Sequence, residues 1–115
     1  EIKYVDILSL ESIEDNVNYM VSNPPYIAEK YYTELPIEIL EHEPKVSLTD
    51  ASDGLTFYRK FIELSKKMPY GFKMYCEIGF DQRDKLEKLL EKESISKYRF
   101  YKDYNGIDRI MEVGI

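Results

Sequence analysis

Val17-Asn18-Tyr19-Met20-Val21-Ser22-Asn23-Pro24-Pro25-Tyr26 is an apolar run cut off by two prolines. The run is too short for a helix and its neighbours on both faces read as buried, as in a strand of a parallel sheet. Pro24 and Pro25 end it, because neither can donate to a ladder and the residue before a proline avoids the helical region. Upstream, Ile2 to Leu8 is rich in Ile, Val and Tyr with rough alternation and reads as a strand ending at Asp6-Ile7-Leu8-Ser9. Downstream, Pro36, Pro44 and the turn-prone Asp50 to Gly54 make Ala28 to Asp53 a long connection with one helical turn around Ile37 to Leu40. A connection of that length is more often functional than idle. Leu55, Phe57, Tyr58, Phe61, Ile62 and Leu64 then recur at helical spacing through Lys67, with Ser52 or Asp53 as the cap. Gly71 to Ile78 reads as a strand and Asp81 to Lys92 as a helix with Leu86, Leu89 and Leu90 on its apolar face. Lys97 to Lys102 reads as a strand, and Asn105-Gly106 as the turn into a closing strand from Ile107 to Ile115.

Strands alternating with helices imply an α/β fold with a mainly parallel sheet, and the terminal hairpin adds one antiparallel strand. In such sheets ligands sit at the C-terminal ends of the strands, which is where Asn23 to Tyr26 falls.

The 115 residues make a single domain, and 43% hydrophobic with 33% charged residues is a soluble globular composition. No segment reaches the roughly 20 apolar residues that span a bilayer, and Glu1 to Asp6 has no secretory-signal pattern, so a cytoplasmic protein without a membrane partner is expected. A chain that opens on Glu1 inside a strand-like stretch reads as cut from something longer. The net charge of −6 opposes direct nucleic-acid binding, for which Lys66, Lys67 and Lys102 are too scattered. Cys76 is the one cysteine; its apolar neighbours make it a small core residue. His42, the one histidine, reads as a solvated or packing residue of the long loop. No metal site is expected.

Asn23-Pro24-Pro25-Tyr26 has the chemistry of a clamp for a substrate NH2 group. The Asn23 side-chain oxygen and a main-chain carbonyl freed by proline supply two acceptors for the two hydrogens of one nitrogen. The prolines fix their own torsions and preorganise those acceptors, while the Tyr26 ring can stack on a flat amide or base and exclude water. An amide nitrogen is a poor nucleophile, so catalysis rests on orientation and on favouring the charge that grows there during attack on an activated methyl. The other reading of the tetrapeptide is a turn at a strand end with Tyr26 packed on the surface.

Val21-Ser22-Asn23-Pro24-Pro25-Tyr26-Ile27 resembles the signature of the HemK/PrmC family of protein-glutamine methyltransferases. Glu43-Pro44, Asp53-Gly54-Leu55-Thr56-Phe57-Tyr58-Arg59, Glu77-Ile78-Gly79-Phe80-Asp81-Gln82 and Asp108-Arg109-Ile110 resemble that family's later blocks in the same order. The resemblance implies the C-terminal part of a Rossmann-like catalytic domain that methylates, from S-adenosylmethionine, the glutamine amide in the Gly-Gly-Gln motif of peptide-chain release factors. It implies that Asn23 and the Pro24 carbonyl hold the amide, with Pro25 and Tyr26 completing the substrate site and Glu77 lining it. Asp6 falls where the family contacts the cofactor's adenine, and Asn23 also borders the cofactor.

The chain departs from the family in three places. No Gly-x-Gly loop or following acidic residue is present to cradle the cofactor, the five glycines being spread over positions 54, 71, 79, 106 and 114. Pro69-Tyr70-Gly71-Phe72 stands where two glycines are usual. The family's N-terminal helical domain, implicated in recognising the release factor, has no counterpart. The expectation is therefore an amide clamp without most of its cofactor pocket, inactive alone. Two alternatives stand beside it: part of an adenine-N6 nucleic-acid methyltransferase, which shares Asn-Pro-Pro-Tyr, or a non-catalytic amide-binding module. In the family's strand order 3-2-1-4-5-7-6, Val17 to Ser22 would be left as an open edge, so homo-oligomerisation through that edge is expected.

Overall fold

The computed structural model describes residues 1–14 and 16–115. Four strands form one sheet: β1 (Tyr19–Ser22), β2 (Lys73–Glu77), β3 (Tyr98–Lys102) and β4 (Asp108–Gly114), in the spatial order β1-β2-β4-β3. β1 and β2 run parallel, with Tyr19 opposite Lys73 and Ser22 opposite Cys76. β4 pairs antiparallel with both β2 and β3. Three of the four strands thus point the same way and β4 runs between two of them in the opposite sense, the mainly parallel sheet with a terminal hairpin expected from the sequence. Two of the helices, α1 (Glu29–Tyr32) and α2 (Ile37–His42), lie in the connection after β1; α3 (Thr56–Ser65) links that connection to β2, and α4 (Arg83–Lys92) precedes β3.

The core follows from the register. Met74 and Val113 share one row of a sheet face, and Cys76 and Met111 the next. All four are fully buried, against Tyr58 and Ile62 of α3 and Leu86 and Leu90 of α4. Fully burying an aliphatic side chain of that size is worth about 1.5–3 kcal/mol, so this face holds the two long helices on the sheet. The opposite face stays open: Val21 is 79% and Tyr19 64% exposed, and Lys73 pairs with Glu112 at 3.1 Å. Cys76 sits inside the core, and burial pushes its thiol up to about 12, which makes it a packing residue and not a nucleophile.

The N-terminal stretch corrects the sequence reading. Ile2 to Leu8 is no strand: Ile2, Tyr4 and Val5 are exposed, and Ile7–Ser9 form a 3-10 turn. The Asp6 carboxylate accepts a hydrogen bond from Leu8 N at 3.0 Å and turns the chain there. Without a ladder partner, a local side-chain bond outweighs β propensity. The long connection also holds more helix than the single turn expected, α1 and α2 together with a 3-10 turn at Lys45–Ser47. It folds back on itself through Ile27 N, which donates to the Leu48 carbonyl at 3.0 Å. His42 is exposed at the end of α2. At the closing hairpin Gly106 supplies the left-handed φ of +78°, while the Asp103 carboxylate takes Asn105 N at 2.8 Å and Ile107 N at 3.0 Å.

Candidate functional site: the strand ends around Tyr26

Because β1 and β2 are parallel, the segments that leave them emerge at the same edge of the sheet. Asn23 to Tyr26 leaves β1, and Ile78 to Gln82 leaves β2. Asn23 is exposed, Pro24 is buried, and Pro25 and Tyr26 are half-buried. Among the described residues no backbone N–H outside the regular elements bonds to the Pro24 carbonyl. The Tyr26 hydroxyl donates to Glu77 Oε1 at 3.2 Å. Burial first, and then the Glu77 carboxylate, hold that hydroxyl above the ordinary tyrosine range, so it remains a neutral donor at neutral pH. The structure therefore brings Tyr26 and Glu77 together, 51 residues apart in sequence.

A residue to which sequence reasoning assigned no role ties these segments down. Gln82 is 5% exposed at the start of α4. Its side-chain NH2 donates to the Tyr26 carbonyl at 2.9 Å and to the Gly54 carbonyl at 3.0 Å. Its oxygen accepts from Gly79 N at 2.8 Å. The Tyr58 hydroxyl, 3.3 Å from that same oxygen, makes its shorter bond, 2.7 Å, to the Glu77 carbonyl. Three loops, after β1, before α3 and after β2, thus meet on one amide. A glutamine at a helix start carries no periodic signal, so only its place within the Glu77 to Gln82 block could have flagged it.

Two glycines let the loops close. A methyl group on Gly54 would lie 2.5 Å from the Tyr26 carbonyl oxygen, and one on Gly79 would lie 3.2 Å from the Tyr26 ring. Gly54 also has a φ of +84°. The turn that presents it is organised by Asp50, not by the Ser52 or Asp53 expected as the helix cap. The Asp50 carboxylate accepts from Ser52 N at 2.9 Å, from Gly54 N at 2.9 Å and from Thr56 N at 3.0 Å. Burial acts to raise its pKa, but the hydrogen bonds from Thr56, Ser52 and Gly54 prevail and hold it below the usual carboxylate range. Asp53 instead takes Leu55 N at 3.0 Å and pairs with Arg59. Asp50 takes the role expected of Ser52 or Asp53 because its position in the turn faces three N–H groups at once, while the N-cap position itself is Leu55.

Beside Tyr26 opens a cavity of about 540 Å³, lined in part by Ile27, Tyr31, Phe80, Lys85 and Arg109. This is within the size range of small-ligand sites. Asp6 does not join the clamp by any hydrogen bond; its carboxylate is committed to Leu8 N beside α3. Among the described residues no cluster of His, Cys, Asp or Glu could hold a metal, and no helix is long and apolar enough to cross a membrane. The residues present do not fit S-adenosylmethionine by themselves. No Gly-x-Gly segment in the sequence supplies the glycine-rich backbone that would cradle a methionine carboxylate.

No family model matches the chain. The release factor glutamine methyltransferase of Clostridium acetobutylicum is 35% identical over 99 residues, which cover 84% of this chain and 34% of that protein. The Bacillus cereus protein of the same name is 36% identical over 113 residues, covering 92% of this chain and 38% of its own. A bifunctional methyltransferase of Rickettsia felis is 37% identical over 94 residues, 80% of this chain and 18% of that protein. The chain spans about a third of the length of the release factor glutamine methyltransferases it matches. With the expected sheet and with two of the resembling sequence blocks meeting at Tyr26 and Gln82, the chain belongs to the HemK/PrmC family of release factor glutamine methyltransferases.

Proposed function

We propose that this chain is the methyl-acceptor part of an S-adenosylmethionine-dependent methyltransferase that modifies the glutamine side-chain amide in the Gly-Gly-Gln motif of peptide-chain release factors. It would be the C-terminal part of the catalytic domain of a cytoplasmic enzyme. The observation that carries the reading is the anchoring of the Asn23 to Tyr26 segment at both ends of Tyr26, by Glu77 on its hydroxyl and Gln82 on its carbonyl. An anchored, proline-stiffened segment at a strand end suits a planar NH2 group, for which Asn23 and the Pro24 carbonyl would be the acceptors.

On this reading the Asn23 Oδ1 and the Pro24 carbonyl oxygen each accept one N–H of the substrate amide. As positive charge grows on the nitrogen, both hydrogen bonds strengthen, so the clamp favours the transition state over the ground state. Pro25 and the Tyr26 ring fix the plane of the amide and keep water away. Glu77 acts through the Tyr26 hydroxyl. Asp6 and Asn23 are the residues of this chain proposed to border the donor, and the rest of its pocket is proposed to come from sequence that the relatives carry beyond the matched third. The donor supplies an electrophilic methyl group; the residues here supply the geometry of the acceptor.

The test is transfer of labelled methyl groups by the intact protein to a release factor and, separately, to DNA. Release factor should be methylated at the glutamine and DNA should not, in keeping with the net charge of −6. Asn23→Ala should lower turnover about a hundredfold with little change in donor affinity. Near-normal turnover would remove Asn23 from the mechanism, and methylation of adenine in DNA would replace the reading with the nucleic-acid alternative.

A further inference from the structure

Gln82 lies outside the residues to which the resemblance gives a role, yet it makes more polar contacts at the strand ends than any of them. Its NH2 bridges the Tyr26 and Gly54 carbonyls at 2.9 and 3.0 Å, and its oxygen takes Gly79 N at 2.8 Å. At 5% exposure these bonds are shielded from water. We infer that Gln82 is the positioning residue of the site, setting the backbone of Pro24 to Tyr26 from behind so that the acceptors meet the substrate amide in one geometry. The inference rests on the amide-clamp reading, but it makes a claim about backbone placement that can be read without any reaction.

The Pro24 carbonyl and Asn23 lie two and three residues before the carbonyl that Gln82 holds, and two prolines leave few torsions between them in which an error could be absorbed. The loop cannot settle deeper, because the Gly54 backbone already packs against the same oxygen, and it cannot lift away without breaking the Gln82 bond. Its amide suits the task for a reason that a carboxylate of the same shape does not share: two carbonyl oxygens require two N–H donors, and a glutamate offers neither when ionised. A misplacement on the order of 1 Å at a reacting group costs about a hundredfold in rate. Substrate affinity, drawn from a wider surface, should respond far less.

The experiment compares Gln82→Glu with Ile62→Ala, a truncation of a fully buried α3 residue whose side chain has no polar atom, in the intact protein. Both variants should lose stability in thermal melts. Gln82→Glu should lower kcat about a hundredfold on release factor with KM within about threefold, while Ile62→Ala should keep kcat at temperatures where it is folded. A carbon-13 label on the Tyr26 carbonyl provides the second readout. Its resonance should move in Gln82→Glu and stay in Ile62→Ala, whichever reaction the site performs. If the wild-type protein methylates no release factor but the Tyr26 resonance still moves selectively, the functional reading fails and the placement role stands. Normal kcat in Gln82→Glu, an equal loss of kcat in Ile62→Ala, or an unmoved Tyr26 carbonyl would each overturn the inference.

Discussion

Replacing Gly54 by alanine isolates the contact on which the site closes. The new methyl group would lie 2.5 Å from the Tyr26 carbonyl oxygen and 3.3 Å from Ala28 N, both backbone atoms, and 3.1 Å from Gln82 Nε2. The carbonyl would have to retreat by at least 0.5 Å to reach even the tightest contact that real Cβ atoms make. The φ of +84° adds a second cost, about 1–2 kcal/mol for a residue with a Cβ in the left-handed region. Overpacking typically adds about 1–3 kcal/mol, so Gly54→Ala should destabilise by about 2–5 kcal/mol. For a domain of this size that lowers the melting midpoint by roughly 10 °C or more. Gly71→Ala provides the control, because Gly71 also has a positive φ, +95°, but its new Cβ would meet nothing within 4 Å. Urea denaturation of both variants beside the parent separates the collision from the torsion. If the two variants agree within about 0.5 kcal/mol, the loops do not close on Gly54 as described.

Three further outcomes are expected. Removing the Asp50 carboxylate with Asp50→Ala should cost about 1–2 kcal/mol at neutral pH, through the N–H groups of Ser52, Gly54 and Thr56 that it satisfies. Since the folded pKa lies below the unfolded one, the ionic share of this stability is present above about pH 4 and is lost as pH falls through the folded value. The gap between Asp50→Ala and the parent should accordingly shrink in denaturation series taken below about pH 4, and a gap that widens in acid would contradict the assignment. Calorimetry should find no tight binding of S-adenosylmethionine by the 115-residue chain alone, and a low-micromolar dissociation constant would mean that its pocket is more complete than the residues suggest. The chain alone should self-associate at micromolar concentration through the free edge of β1, where Tyr19 and Val21 are exposed; light scattering that reports a monomer up to about millimolar concentration would exclude this.

What was legible in the sequence was local. Periodicity located α3 and α4, apolar or alternating runs located β1, β2, β3 and β4, and the two prolines marked the end of β1, because these signals arise from a residue and its near neighbours. The same locality explains the misreading of Ile2 to Leu8, whose composition suits a strand but whose state depends on a ladder partner that no local pattern reports. It also explains why the contacts that hold Asn23 to Tyr26 could not be read there, even though the family resemblance placed Glu77 beside the site. Gln82 stands 56 residues from Tyr26, Glu77 stands 51, and Gly54 meets the Tyr26 carbonyl only once the long connection has folded back. Whether Ser52, Asp53 or another residue would serve the start of α3 was decided in the same way, by which side chain the turn aims at free N–H groups, and that is Asp50. The chemical character of the site belongs to its amino acids and can be read one residue at a time. Its geometry belongs to hydrogen bonds between distant segments, which exist only after the parallel pairing of β1 with β2 brings their ends to one edge.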